Sequence, residues 1–270
     1  MAGGLHRFMG RRRPIITDSG GFQIFSLAHG TVFDEMHLKR RTQRKGNEAP
    51  AGGWVEKITE EGVTFRSYRD GSRIVLTPES CVEAQKQLGA DIILPLDELP
   101  PYHVEDDRLR KSVAMSHRWM ERSLRAHMSD RRQQAMYGII HGGSNLQLRQ
   151  ESAAFITSLP FDGYALGGTL GRDRAEMEAI LAPILRALPP GKPRHVLGIA
   201  DDQSMGALAT MGADTFDSCY PTRVARHGCA FTSSGRLRVL SAKVKRCGSG
   251  VSLWERIIRY RIRSAAHMLM

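Results

Sequence analysis

Two aspartates near opposite ends of this 270-residue chain sit in runs whose residue types could break a glycosidic bond. Asp18 follows the apolar Pro14-Ile15-Ile16 and opens the run Asp18-Ser19-Gly20-Gly21-Phe22-Gln23. Asp217 lies in Asp214-Thr215-Phe216-Asp217-Ser218, ahead of Pro221-Thr222-Arg223 and Arg226. Each reads as an acid at the end of a buried strand, so the two could face one pocket from distant parts of the sequence. One carboxylate can trap a cationic sugar carbon while a second acid/base group moves the proton. A strand-end aspartate also serves as a helix cap or half of an ion pair, and taken singly each of these has that ordinary explanation.

The elements that must position these acids are strands alternating with helices. Strand-like runs occur at Pro14–Thr17, Asp91–Leu96, Ala135–Ile140, Tyr164–Leu166, His195–Ile199 and Thr215–Phe216. Amphipathic segments lie between them at about 78–88, 105–128, 146–157, 173–187 and 202–211. Thr77 followed by Pro78 predicts a helix start and Gly89 a stop. Continuous apolar strands separated by helices predict a parallel sheet covered on its faces. Polar residues gathered at strand C-termini suit an α/β TIM (β/α)8-type barrel, whose active site lies on that face. About six strands are visible where closure takes eight, so the barrel reads as incomplete. Residues 59–65 and 69–76 carry turn dipeptides between β-branched runs, which predicts an antiparallel hairpin insertion after the first strand. Ala49–Gly53 and the basic cluster before it read as loop.

The formal net charge of +11 favours an anionic partner such as nucleic acid. Residues 234–270 hold nine Lys/Arg against one acid, and Lys39-Arg40-Arg41 with Arg44-Lys45 forms a second basic cluster. Cys81, Cys219, Cys229 and Cys247 form no CxxC or CxC pair, which indicates neither a zinc knuckle nor a disulfide framework. No apolar stretch is long enough for a membrane span, and Met1–Pro14 lacks the apolar core of a secretory signal. The expectation is a cytoplasmic protein with no membrane partner.

The segments Ile15–Phe25, Asp91–Glu98, Tyr137–Gly143, Asp162–Gly171, His195–Ala200 and Asp214–Phe231 resemble the tRNA-guanine transglycosylases, in order from about Gly3 to about Lys245. The strings DSGGFQ (from Asp18) and FDSCYPTRVARHG (from Phe216) carry the resemblance most specifically. It implies exchange of guanine at the anticodon wobble position of a tRNA with a GUN anticodon for queuine or a 7-deazaguanine precursor, the step that forms queuosine. By similarity Asp217 is the nucleophile, forming a covalent Asp–ribose intermediate, and Asp18 the general acid/base. Ser19, Gly20, Gly21, Phe22, Asp97, His141, Gly167, Gly168 and Leu197 are implied to bind the base. Asp97 would accept hydrogen bonds from its N–H edge, Gly167-Gly168 would admit it to the backbone, and Phe22 and Leu197 would flank its faces. The RNA would meet Gly198, Ile199, Ala200, Asp201, Asp202, Gln203 and Ser204, together with Thr222, Arg223, Val224, Ala225 and Arg226. His141 stands where the commonest bacterial pattern has a glutamine before paired glycines, and the loop Gly167–Arg172 lacks a glutamate often found there.

Measured against the family, the chain starts within the second quarter, without the Asn-Thr-Tyr-His-Leu motif. The implied division is a partial barrel over 1–245 and an atypical basic tail over 246–270 that resembles nothing in the family. The chemistry needs no cofactor. The family's structural Zn2+ rests on a CxCxxC cluster with a later histidine, and here Val244–Met270 offers only Cys247 and His267. A homo- or hetero-dimer is implied. Two further readings remain, a non-catalytic tRNA-binding subunit or inactive fragment of the family, and an unrelated TIM-barrel glycosidase. Retention of both aspartates weighs against the first. The low aromatic content of 7% weighs against the sugar groove the second would need.

Overall fold

In the computed structural model the described residues are 3–29, 54–67, 69–232 and 235–238. Ala49–Gly53, the basic cluster at 39–45 and the tail 246–270 lie outside them. The chain divides into two units, Met1–Arg194 and His195–Met270.

In the first unit a short helix α1 (Leu5–Met9) precedes β1 (Ile16–Thr17) and α2 (Gly21–His29). An antiparallel sheet of β2 (Val55–Ile58), β3 (Val63–Arg66) and β4 (Arg73–Leu76) follows, and it is the insertion expected from the turn dipeptides. Then come α3 (Pro78–Leu88), β5 (Ile92–Ile93), α4 (Asp106–Ser129), β6 (Ala135–Ile140), α5 (Leu146–Ser158), β7 (Gly163–Leu166) and α6 (Arg174–Ala187). Strands β1, β5, β6 and β7 are parallel neighbours, with Ile16 opposite Ile92, Ile92 opposite Ala135 and Tyr137 opposite Gly163. The second unit carries β9 (Thr215–Phe216) beside the end of β8 (Arg194–Val196), parallel to it, with His195 opposite Thr215. Helix α7 (Asp202–Thr210) joins them, and α8 (Tyr220–Arg226) leads to an antiparallel pair, β10 (Cys229–Thr232) and β11 (Gly235–Arg238). This is the α/β order of an incomplete TIM (β/α)8-type barrel.

Several strands are shorter than their apolar runs, for identifiable reasons. Pro14 has no N–H to give, and the Ile15 N–H goes to Asp91 Oδ2 at 2.7 Å, so β1 begins only at Ile16. Beyond Ile93 the Gln85 side chain replaces the ladder, donating to Leu94 O at 2.7 Å and accepting from Leu94 N–H at 3.1 Å. Pro95 then rules out continuation. Strand β8 ends at Val196 because Gly198 turns with φ +78°. The helices follow their signals closely. Thr77 and Ser80 form a capping box, Pro78 opens α3 and Gly89 closes it in the left-handed region. Asn145, Asp173 and Asp201 each accept the backbone N–H three residues on, at the starts of α5, α6 and α7.

The core of the first unit joins both sheets. Ile24, Val63, Cys81, Leu96 and Trp119 pack together, and Trp119 Nε1 donates to Glu60 O at 3.0 Å, fixing the insertion to α4. Burial pushes the Cys81 thiol up to about 12, which keeps it inert. Helices α4 and α5 meet at His117, whose ring stacks on Phe155 with centroids 4.2 Å apart and whose Nε2 lies 2.8 Å from Ser152 Oγ.

Burial pushes the His117 imidazole down to about 4, with the His141 and Arg118 side chains also opposing its charge. An unfolded histidine titrates near 6.5. Between those values the unfolded chain binds a proton that the folded chain refuses, so this residue's contribution to stability falls as pH drops from about 6.5 toward about 4. The melting temperature of His117→Gln is therefore expected to fall less over that window than that of the unmodified chain. Equal falls would remove His117 as a source of the slope.

Candidate active site

The first unit gathers its polar residues where β1, β5, β6 and β7 end. Asp18 stands one residue past β1, exposed, and its Oδ1 accepts the Ser19 backbone N–H at 2.8 Å. Ser19 is buried. Its hydroxyl donates to Asp97 Oδ1 at 3.3 Å and accepts the Gly21 N–H at 3.3 Å. Gly20, at φ +93°, makes the turn between strand and helix. Gly21 is required for a different reason: a Cβ there would stand 2.2 Å from Asp97 Oδ1 and 2.8 Å from Asp97 O. Phe22, on the first turn of α2, is 45% exposed.

Asp97 is 5% exposed and His141 is 3% exposed. His141 Nε2 lies 3.1 Å from Asp97 Oδ2, at ion-pair distance but off the line of an N–H···O hydrogen bond. The His141 N–H donates to Ser152 Oγ at 3.1 Å. Gly167 is buried beside it, its N–H on Ile140 O at 3.2 Å, and Gly168 turns at φ +74°. A Cβ on Gly168 would stand 3.3 Å from His141 Nδ1.

Two clefts open here. One, of about 470 Å3 including space open to solvent, is lined by His141–Ser144, Gly168, Thr169, Glu98 and Tyr102 among others. The other, of about 390 Å3, takes in Gly21, Phe25, Asp97 and Arg108. Both also touch Glu98, Pro100 and Pro101. Of the residues expected to hold one base, Gly21 and Asp97 line one cleft and His141 and Gly168 the other, and the Asp97–His141 contact links the two.

In the second unit Asp217 follows β9 with its side chain 53% exposed. Its Oδ1 accepts the Gly198 N–H at 3.2 Å and lies 3.2 Å from His195 Nε2. The other ring nitrogen of His195 lies 2.9 Å from Thr215 Oγ1. A neutral imidazole with its proton on Nε2 serves both contacts, donating to the carboxylate and accepting the hydroxyl proton. Leu197 is half-buried and Gly198, Asp202 and Gln203 are exposed, with Ile199 between. Ala200 and Ser204 are buried, and Asp201 is spent capping α7 through the Ser204 N–H at 3.0 Å. On α8, Thr222, Arg223 and Arg226 are exposed while Val224 and Ala225 are half-buried. Arg223 Nη2 also donates to Cys219 Sγ at 2.9 Å.

Sequence reasoning passed over several residues that hold these groups. His195 was read only as the start of a strand. Glu98 is buried, carries the Arg108 guanidinium on its carboxylate, and gives its N–H to Ser116 Oγ at 3.0 Å, which fixes the backbone next to Asp97. Arg149 is fully buried behind His141 and Gly167. Its signal was present, since it shares the inward stripe of α5 with Ser152 and Ile156.

Among the described residues no group of three His, Cys, Asp or Glu side chains could hold a metal ion. In the C-terminal stretch, where the resemblance implies the zinc ligands, Val244–Met270 supplies Cys247 and His267, two Cys/His donors where structural zinc takes four. These residues do not fit a structural zinc site. Among the described residues no helix is long and apolar enough to cross a membrane.

Comparison with known proteins places this geometry in context. The family model described as Queuine tRNA-ribosyltransferase matches residues 1–251. A queuine tRNA-ribosyltransferase of Protochlamydia amoebophila is 55% identical over 242 residues, covering 90% of this chain and 61% of that protein. Relatives of the same name from Chlamydia caviae and Chlamydia pneumoniae are 47% and 46% identical, over 88% and 92% of this chain and 62% and 65% of theirs. The chain thus spans less than two thirds of the length of these relatives.

Gly21→Ala is expected to cost about 1–3 kcal/mol, because both the carboxylate and the backbone of Asp97 block the added methyl. Thermal melting measures it. An unchanged melting temperature would mean that the Asp97 segment moves freely.

Proposed function

The chain belongs to the queuine tRNA-ribosyltransferase family, and from that premise we propose that it exchanges guanine at the wobble position of a GUN anticodon for queuine or a related 7-deazaguanine. The observation that carries the reading is the contrast between two carboxylates: Asp97 buried against Ser19 and His141, Asp217 half exposed and held by one oxygen.

Asp217 is suited to attack. With Oδ1 engaged by the Gly198 N–H and His195, the other oxygen is left for ribose C1′. The new bond forms from Asp217 to C1′ as the C1′–N9 bond breaks, and that electron pair leaves with the purine. Asp18 supplies the proton that neutralises the departing guanine and later takes one from the incoming base. The incoming nitrogen displaces Asp217 from C1′, so the carboxylate is regenerated and nothing is oxidised or reduced.

Asp97 suits the reading of a purine N–H edge, because a desolvated carboxylate makes strong charge-assisted bonds and rejects a base that offers no donors there. In this reading His141 and the Gly167–Gly168 backbone meet the base beside it, and binding replaces the His141–Asp97 contact. By the family resemblance Phe22, exposed on α2, would pack on one face of the base and the half-buried Leu197 on the other. The target nucleotide must leave its stack, which is cheapest in a single-stranded loop. Thr222, Arg223 and Arg226 are exposed on the helix after Asp217 and suit the flanking phosphates. The partners are therefore tRNA and a 7-deazaguanine base, and a dimer is the proposed assembly.

Radiolabelled guanine incubated with the full chain and an unmodified GUN-anticodon tRNA tests this. Label in the tRNA is the expected result, and its absence while the chain melts cooperatively and still binds tRNA would favour a non-catalytic RNA-binding role. Asp217→Ala should lower exchange by a factor on the order of a thousand or more while leaving tRNA affinity nearly unchanged. Retained exchange would remove the nucleophile assignment. Arg223→Ala should weaken tRNA binding and reduce the salt slope by about one. An unaltered slope would take Arg223 off the phosphates.

A further inference from the structure

A guanidinium without a carboxylate sits at the back of the strand-end loops. Arg149, on the second turn of α5, is fully buried, and among the described residues no acid lies within ion-pair distance of it. Its donors go instead to backbone carbonyls. Nε donates to Gly143 O at 2.7 Å and Nη1 to Ile140 O at 3.4 Å, while Nη2 serves Gly167 O at 3.1 Å and Thr169 O at 2.7 Å. Two of these carbonyls belong to the end of β6 and the loop after it, and two to the loop after β7. Burying an unpaired cation is expensive, and burial pushes this guanidinium down to about 10, still charged at neutral pH. Such a cost is met only if the carbonyl dipoles are held in place, so the cation and the loops define each other.

The fit is close on every side. A Cβ on Gly142 would stand 2.5 Å from Arg149 Cγ and 2.6 Å from its backbone nitrogen, so only glycine lets the first loop wrap the side chain. A Cβ on Gly168 would stand 3.9 Å from Nη2 and 3.3 Å from His141 Nδ1, so the guanidinium and the imidazole flank the same glycine. The rigid planar fork reaches carbonyls of both loops at once, whereas an ammonium on a flexible stem reaches fewer.

We infer that Arg149 is a positioning residue that clamps the loops after β6 and β7 against each other and so sets the spacing between His141 and the Gly167–Gly168 backbone on which a purine is read. The functional half of this rests on the base-binding reading above, and the mechanical half does not. Nothing in the clamp touches the reacting sugar. It therefore acts on whichever base occupies the site, and its effect shows most clearly on the free base, because tRNA is held by phosphate contacts as well.

Two measurements on the full chain test it, with Arg149→Lys as the main variant and Arg149→Met as the harsher one. Hydrogen–deuterium exchange follows the two loops through the Asn145 N–H, held by Gly142 O at 3.0 Å, and the Gly167 N–H, held by Ile140 O. In Arg149→Lys these loops should exchange faster while the rest of β6, β7 and α5 keeps its protection. Titration calorimetry with guanine should show affinity about tenfold weaker, a loss of about 1.4 kcal/mol, with tRNA affinity weakened less because phosphate contacts dominate it. Unchanged loop exchange in Arg149→Lys would overturn the clamp. So would protection lost evenly through the whole unit, since that marks a residue that merely stabilises. Loosened loops with full guanine affinity would overturn the claim that the clamp sets the base site. If the unmodified chain binds no guanine, the base-binding reading fails, and the loop exchange alone decides the mechanical claim. Should Arg149→Met fail to fold, Arg149→Lys carries the test.

Discussion

The arrangement in the first unit depends on the burial of one carboxylate. Asp97 sits out of water, where an ionised group without partners is too costly to keep. Each neighbour answers that constraint. Ser19 turns its hydroxyl onto one oxygen and His141 brings a ring nitrogen to the other. Gly21 withholds a side chain from the space the carboxylate fills, so the glycine after Gly20 is dictated by an acid far along the sequence. Outward from there, Ser152 fixes His141 by its N–H, and Glu98 with Ser116 and Arg108 fixes the backbone beside Asp97. A buried polar network tolerates little, because each member left unsatisfied costs more than its bond contributes.

Asp217 answers the opposite requirement. It is half exposed, and its two contacts reach a single oxygen from the β8 side, one from a backbone N–H and one from a nearly buried histidine that Thr215 orients. A carboxylate that must form and release a covalent bond needs orientation without the full set of hydrogen bonds that would quench it. The two acids are therefore not interchangeable. In the proposed reaction the enclosed acid would recognise and the exposed one react, so that their surroundings divide the labour although the side chains are identical.

Much of this was legible in the sequence where a local rule governs. Thr77, Pro78 and Gly89 bound α3 as their chemistry requires, and the apolar run Ala135–Ile140 is β6 to the residue. The turn dipeptides of 59–76 yielded the inserted sheet. Legibility failed where a side chain does the backbone's work. Gln85 takes over both hydrogen-bonding groups of Leu94, so a long apolar run gives a two-residue β5. The Asp91 carboxylate takes the Ile15 N–H and shortens β1 in the same way. No periodicity reports such substitutions, because the partners are far apart in the chain. His195 was missed for the converse reason, since it looks like an ordinary member of its strand until the structure shows what its nitrogens hold. Arg149 stood out on the inward stripe of its helix, but its four carbonyl partners did not.

The positive charge of the chain divides along the same lines. The basic residues on α8 are exposed and could meet phosphates, where charge acts at long range and yields to salt. Arg149 spends an equal charge on four carbonyls inside the protein, where salt does not reach and geometry is everything. Net charge alone therefore overstates what is available to an RNA. In the proposed reaction a site that holds a large anion and measures a small base would use both kinds of cation, one facing solvent and one locked behind the strand-end loops.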